Sequence, residues 1–150
     1  MLFPTAAPNV AEAVAMVDEY GALCEVMFLV MAVERRMSNV QRQLLRGALD
    51  MLSSGRVRTA HMESMLDAAA KRLARDGLEK RCQRVAEALR DDRIRAEMIL
   101  VLATALAAAD SKISEAEQAL LDRFAADLGV DPSRLSSVLD ELTSAPDSSL

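Results

Sequence analysis

The sequence predicts an all-α protein, and three observations support this fold class. The chain is rich in Ala, Leu, Met, Arg, Glu and Gln, the residues that form helices most readily. Hydrophobic residues make up 51% of it but aromatic residues only 3%, and sheets depend on aromatic and β-branched residues. Apolar side chains also recur at helical spacing. At 150 residues, we expect one compact bundle of about seven helices.

The first helix is expected to form the centre of the core. Asn9 is a suitable cap for a helix that starts near Val10 and runs to about Arg35, with Gly21 as a candidate break. The second half of this segment is almost entirely apolar, which indicates a buried helix.

The second helix is predicted by a capping box. Ser38 is followed three residues later by Gln41, the spacing at which the two residues cap each other's backbone. The Ser-Ser-Gly sequence that ends at Gly55 stops the helix. Its expected apolar face consists of Val40, Leu44, Leu45, Ala48 and Leu52.

Two amphipathic helices follow. The third starts at Thr59 and ends at Gly77, which is a typical residue after a helix C-terminus. The fourth runs from Leu78 to about Arg90. The apolar residues of the third are Met62, Met65, Leu66, Ala69 and Leu73, and those of the fourth are Leu78, Cys82, Val85, Ala86 and Leu89.

The last three helices have clear start signals. The aspartates at 91–92 can cap a fifth helix that ends near Ala109 and is apolar all round in its second half, so it is expected to be buried. Ser114 and Glu117 form another capping box, which opens a sixth helix. Asp131-Pro132 starts the seventh. We therefore expect a single domain over residues 9–143, between tails at 1–8 and 144–150.

The sequence indicates an internal repeat. At an offset of 76 positions Ser38 corresponds to Ser114 and Gln41 to Glu117, and the following helices correspond at an offset of 73. Each unit needs the other to cover its apolar helix. Helix-loop-helix segments rich in Ala and Leu also align by chance, and the agreement of the capping residues favours a true repeat. The two units span about 22–75 and 96–142.

Charge is distributed unevenly. The net charge of −5 conceals a basic middle, because residues 35–95 contain fifteen bases and eight acids while residues 1–34 contain five acids and no base. This basic region is either a partner-binding surface or the intramolecular counterpart of the acidic flanks. The candidate partner-binding residues are Arg35, Arg36, Arg42 and Arg46. Nucleic acid is not the expected partner, because no aromatic residue lies among these arginines to stack on bases.

Composition argues against an enzyme. The chain has one histidine, His61, and no glycine-rich phosphate loop, so no nucleophile–base pair is evident. Cys24 and Cys82 lie too far apart in sequence for a zinc motif and are expected to be reduced core thiols. No signal peptide and no apolar run of membrane-spanning length is recognisable, which predicts a cytoplasmic protein.

The segment from Ala108 to Glu117 is the most informative part of the sequence. Asp110, Ser114 and Glu117 match the second half of an EF-hand loop, in which carboxylates hold Ca²⁺. The leading acids of such a loop are missing, and Ser111 stands where its glycine would be. A standard EF-hand is therefore excluded.

This segment resembles the loop of the tellurite-resistance TerB-like family, Ala-Ala-Asp-Gly-x-apolar-Ser/Thr-x-x-Glu, which usually occurs twice in a domain of this size. The second copy here departs from the pattern at Ser111. The first copy departs further, with Glu34, Arg35 and Gln41 at the positions of Asp, Gly and Glu. The resemblance covers about residues 20–142. The matching residues are Ala108, Ala109, Asp110, Ile113, Ser114 and Glu117.

The resemblance implies an all-helical cytoplasmic domain linked to stress response and tellurite resistance. It also implies a weak divalent-cation site, Ca²⁺ or Mg²⁺, with Asp110 and Glu117 as ligands and Glu34 as a third. The same residues have a purely structural interpretation, in which Asp110 turns the chain while Ser114 and Glu117 cap the helix.

Two functional hypotheses follow. The first is a non-enzymatic TerB-like module that binds a protein partner and a divalent cation. The second is a metal-free helical adaptor or regulator that uses its charge-segregated surface. Peripheral association with a membrane complex is compatible with both, and the sequence leaves the oligomeric state open.

Overall fold

The computed structural model describes residues 7–33, 37–109 and 112–144 of the chain, and the structural statements below concern these residues. They form an all-α bundle, which confirms the predicted fold class. The helices are α1 (Ala7–Ala32), α2 (Asn39–Leu52), α3 (Thr59–Asp76), α4 (Leu78–Leu89), α5 (Arg93–Ala107), α6 (Glu115–Leu128) and α7 (Pro132–Ser144).

Local capping explains where the helices begin and end. Ser38 and Ser114 are the N-caps of α2 and α6, both in extended backbone conformation. Asp92 caps α5 by accepting from the Arg95 amide at 3.1 Å. Gly129 closes α6 in the left-handed conformation, with φ +72°, where a side chain would be strained.

The expected break at Gly21 does not occur, because α1 is continuous over its 26 residues. Gly21 is half-buried, and a Cβ there would lie 3.6 Å from Val17 Cγ1, an ordinary contact. A lone glycine inside a helix lowers its stability without ending it, and the packed second half of α1 compensates for that loss. In the N-terminal part of α1, Met16 and Tyr20 pack in the core, while Val10, Val14 and Val17 are exposed.

The core is built around α1 and α5. The second half of α1 is buried from Leu23 to Met31 except at Phe28, and α5 buries Ile99, Leu100 and Ala103 completely. α1 packs against α3, α4, α5 and α6, while α5 packs against α2, α4, α6 and α7. The two apolar helices predicted from sequence are therefore the shared centre of the bundle.

The predicted apolar face of α2 was wrong in part. The helix buries Gln41, Leu45 and Leu49, which follow one another at intervals of four residues. Leu44 is 48% exposed, and Val40 and Leu52 are exposed as well. The physical reason is that, among the described residues, α2 packs mainly on α3 and α5 through its buried stripe, which leaves the neighbouring apolar stripe largely uncovered.

The two halves of the bundle have corresponding geometry. Asn39 and Glu115, the first residues of α2 and α6, lie at the offset of 76, and Thr59 and Pro132, the first residues of α3 and α7, lie at the offset of 73. The contacts between helices also correspond in the two halves. α1 packs on α3 as α5 packs on α7, and α1 packs on α6 as α5 packs on α2. α4 joins the two halves.

Candidate functional site

The loop before α6 presents Glu117 in a buried capping box. Oε1 of Glu117 accepts a hydrogen bond from the Ser114 amide at 3.0 Å, and Oγ of Ser114 accepts from the Glu117 amide at 3.1 Å. The Glu117 residue is only 1% exposed. Asp110 and Ser111 lie outside the described residues. The structure thus gives Glu117 a capping role, and an ionised carboxylate has further lone pairs with which to accept.

The equivalent position before α2 is occupied by Gln41 in the same arrangement. Its Oε1 accepts from the Ser38 amide at 2.9 Å, and the Gln41 amide donates to Ser38 Oγ at 3.1 Å. Gln41 then differs from Glu117, because its Nε2 donates to the Leu106 carbonyl near the end of α5 at 3.3 Å. A neutral side chain here links the two halves of the molecule.

Of the three predicted cation ligands, only Glu117 falls within the described residues, since Glu34 and Asp110 lie outside them. Across the described parts of the chain, no three His, Cys, Asp or Glu side chains lie close enough together to hold a metal ion. Carboxylate oxygens at the loop would suit a hard cation such as Ca²⁺ or Mg²⁺.

Of the four predicted partner-binding arginines, Arg42 and Arg46 fall within the described residues, and Arg35 and Arg36 lie outside them. The Arg42 guanidinium lies 2.6 Å from the Glu63 carboxylate of α3. Arg46 donates to Thr59 Oγ1 at 2.8 Å and to the Val57 carbonyl at 3.1 Å. Both arginines therefore hold α2 against the start of α3.

A cleft of about 750 Å³ lies between α1, α2 and α3 and includes Arg42 and Glu63 in its wall. Its lining is mixed and includes the apolar Phe28 and Met31 as well as these charged groups. The predicted partner-binding residue Arg42 is thus placed at a cleft, while its charge is already matched by Glu63.

Other charges connect the basic middle to the acidic first helix. Glu25 is a buried carboxylate of α1 that accepts from Arg81 of α4 through both oxygens, at 2.8 and 3.0 Å, and from Arg72 of α3 at 3.2 Å. At the molecular surface, Arg56 lies 3.6 Å from Glu19. These contacts favour the intramolecular interpretation for a large part of the charge segregation.

An apolar groove of about 380 Å³ lies between α2 and α5, and sequence reasoning missed it. Leu23 and Met27 of α1 form part of its lining, and no charged residue does. Met51, on its α2 side, is 79% exposed. The signal was present in the sequence as Val40, Leu44, Gly47 and Met51, spaced by four, three and four residues. Of these residues, Val40 and Leu44 belong to the apolar face predicted for α2, whereas Gly47 and Met51 do not.

Gly47 lies in the wall of this groove and leaves it open. A Cβ built at Gly47 would meet nothing within 4 Å, so the glycine is not required by any close contact inside the chain. Glycine in a helix interior costs about 1 kcal/mol relative to alanine. Close packing among the described residues therefore does not explain the glycine at this position.

The sulfur and imidazole groups are in unreactive settings. Cys24 and Cys82 are buried free thiols, as predicted, and burial raises the pKa of Cys24 to about 12 and also raises that of Cys82. His61 Nδ1 accepts from the Arg58 amide at 3.0 Å at the start of α3. This contact is one that an ordinary helix-end histidine makes.

No family model, curated protein or solved structure matches this chain. Among the residues that the structure describes, no helix is long and apolar enough to cross a membrane.

Proposed function

We propose that the protein is a non-enzymatic, cytoplasmic helical module of the TerB-like type, which acts in stress response by binding a protein partner. The observation that carries the proposal is the open apolar groove between α2 and α5. Contiguous exposed apolar surface is costly in water and is retained where a partner covers it. A groove between two helices, with apolar residues at helical spacing along one wall, suits an amphipathic helix.

The groove is a better candidate for the partner site than the arginines of the basic middle. Its lining is uncharged, so a docking helix would not have to desolvate an ion pair. Arg42 and Arg46 already have partners in α3 and in the turn before it. Loss of those internal contacts would offset what the arginines gained from an external acid.

A weak site for Ca²⁺ or Mg²⁺ at the loop before α6 is the second part of the proposal. It is supported by the spacing of Asp110 and Glu117 and by the acceptor capacity of a carboxylate, two oxygens of which Glu117 uses one for its cap. Glu34 is the third proposed ligand. With so few protein ligands, water would complete the coordination and the affinity would be low.

The partner site is tested by a comparison of two apolar-to-acid variants. Leu44→Asp places a charge on the groove wall, while Leu78→Asp places one at an exposed apolar position at the start of α4. Immobilised wild type and each variant are incubated with extract from the source cells, and each retained protein is then purified and titrated. The proposal requires binding that Leu44→Asp abolishes and Leu78→Asp preserves. Equal binding by both variants would contradict it.

The cation site is tested by titration of the chain with CaCl₂ and MgCl₂, followed by the amide resonances of the loop. Glu117→Gln is the most specific variant, because it removes the charge and, as Gln41 shows, glutamine forms the same capping box. Binding is expected to shift the resonances of wild type and to be lost in Glu117→Gln and Asp110→Asn. Unchanged spectra of wild type up to ~10 mM metal would leave the metal-free adaptor as the better hypothesis.

A further inference from the structure

In the second half of the molecule, α4 packs on a surface whose counterpart in the first half is open. α4 packs on α6 and α1, and its Arg81 and Glu79 pair with Glu25 of α1 and Arg123 of α6. Leu120 of α6 is only 6% exposed. In the second half, therefore, an amphipathic helix lies over the apolar stripe of the capped helix.

The groove between α2 and α5 occupies the equivalent place in the first half. At the offset of 76, its lining residues Leu44, Leu102 and Ala105 correspond to Leu120, Val26 and Leu29. The three residues of the second-half surface are buried, whereas Leu44 is exposed and Leu102 and Ala105 are half-buried. The groove is thus the site of a helix that the first half lacks.

The missing helix can be identified from the order of the chain. α4 leads directly into α5, so the corresponding helix would lead into the buried half of α1. The segment in that place in the chain is Ala7–Tyr20, which is continuous with the rest of α1. At the offset of 76, α4 itself corresponds to residues 2–13, so the two helices correspond in chain order and not in exact register. In Ala7–Tyr20, Val10, Val14 and Val17 form a stripe at intervals of four and three residues, each more than half exposed.

We propose that the groove of one copy of this chain receives the Ala7–Tyr20 segment of a second copy, in a reciprocal two-fold dimer. This inference rests on the proposed function, in which a helix docks in the groove, and it names that helix. Each copy carries one apolar stripe and one open groove. In a two-fold arrangement the stripe of each copy occupies the groove of the other, so the assembly is complete with two copies.

Charge supports this occupant. The sequence of the segment contains three acids and no base, while Arg95 of α5 lies seven residues before Leu102 and so on the face of α5 that lines the groove. Opposite charges on the two surfaces favour this pairing and disfavour contact between two copies of the acidic segment. The acids of the segment are Glu12, Asp18 and Glu19.

The first experiment is a concentration series in sedimentation equilibrium, from low micromolar to ~1 mM protein. The mass of wild type should rise from 16.3 kDa toward twice that value. Val14→Asp and Leu44→Asp should each remain monomeric, and Leu78→Asp should dimerise like wild type. Circular dichroism checks the fold of each variant. Gly47→Arg is a second groove variant, because its side chain enters open space in the monomer.

A mixing experiment separates the reciprocal arrangement from other dimers. Val14→Asp has an intact groove and Leu44→Asp an intact segment, so an equimolar mixture should form a heterodimer through one docked helix, weaker than wild type. Contact between two α1 stripes would instead leave Leu44→Asp dimeric. That result, or a wild type that stays monomeric throughout the series, would overturn the proposed dimer.

A synthetic peptide of residues 7–20 tests the contact without dimerisation. Added to full-length Val14→Asp protein, it should shift the amide resonances of residues 44–51 and 102–106. Shifts confined to other residues would contradict docking in the groove. A failed dimer with a groove-dependent partner in the pull-down would overturn only this inference, whereas the loss of both would also remove the proposed function.

Discussion

α2 and α6 are both helices of 14 residues that begin with the same capping box, yet they bury different amounts of their apolar surface. Leu44 is 48% exposed, while its counterpart Leu120 is 6% exposed. The difference lies in their surroundings, because α4 packs on α6 and no helix among the described residues takes the equivalent place on α2. Two similar helices thus differ in exposure, because α4 packs on one of them and the other borders an open groove.

The largest expected effect comes from truncating the same residue in both halves. Leu120→Ala removes buried methyl groups and should lower the free energy of unfolding by about 3 kcal/mol. Leu44→Ala should lower it by less than about 1 kcal/mol, since the side chain is half in water already. Urea denaturation at low micromolar protein, where self-association does not contribute, measures both. Equal losses would mean that α2 is covered in solution.

Exchange of the two capping residues tests a second difference between the halves, the additional hydrogen bond from Gln41 to the Leu106 carbonyl. Gln41→Glu keeps the capping acceptor but removes the donor to the buried Leu106 carbonyl, and should cost about 2 kcal/mol. Glu117→Gln keeps its Oε1 acceptor and should change stability by less than about 1 kcal/mol. Urea denaturation at pH 7 compares the two. A similar cost for both variants would show that the capping position has the same environment in both halves.

The sequence was sufficient for the helices and insufficient for their surroundings. Ser38, Ser114 and Pro132 act through contacts within a few residues, so the predicted helix starts agree with the structure. The exposure of Leu44 depends on where α4 lies, 34 residues further along the chain, and no local pattern contains that information. An apolar stripe at helical spacing is the same in sequence whether a helix of the same chain covers it or not.

The candidate site was predictable to the same extent. The capping geometry of Glu117 follows from the Ser-x-x-Glu spacing, and both sides of that box are present. Its relation to Asp110 and Glu34, which lie outside the described residues, stays a prediction. The link from Gln41 to the Leu106 carbonyl joins residues 65 positions apart, and spacing could not have predicted it.

A smaller effect, of opposite sign, is expected at Gly47. Gly47→Ala should raise the free energy of unfolding by up to about 1 kcal/mol, because the added methyl meets nothing and alanine favours the helix. Gly55→Ala is the matched control, and it should destabilise by about 1 kcal/mol because the Gly55 φ of +81° is unfavourable for a side chain. Thermal unfolding of dilute protein distinguishes them. Destabilisation by Gly47→Ala would show that the groove is closed in the monomer.

The last prediction concerns the junction that holds α4 in place over the second half. Asp76, at the end of α3, accepts from Arg75 at 2.9 and 3.1 Å and from Arg81 at 3.0 Å. Hydrogen bonds from Arg75 first, and then from Arg81, hold the pKa of Asp76 well below its usual value. Arg81 in turn binds the buried Glu25, so Asp76 helps to orient the arginine that anchors α4.

Because the pKa of Asp76 is lower in the folded chain than in the unfolded chain, its contribution is complete at pH values above about 4 and is lost as the pH falls toward the folded value. Asp76→Asn should therefore reduce stability at pH 6 and flatten the fall in stability between pH 5 and pH 2.5, measured by urea unfolding. Asp67→Asn, in an exposed pair with Lys71, should leave that slope nearly unchanged. An unaltered slope in Asp76→Asn would mean that Asp76 does not help to hold α4 in place. The asymmetry between the two halves would then depend on the other contacts of α4, with Glu25, with Arg123 and with the apolar core.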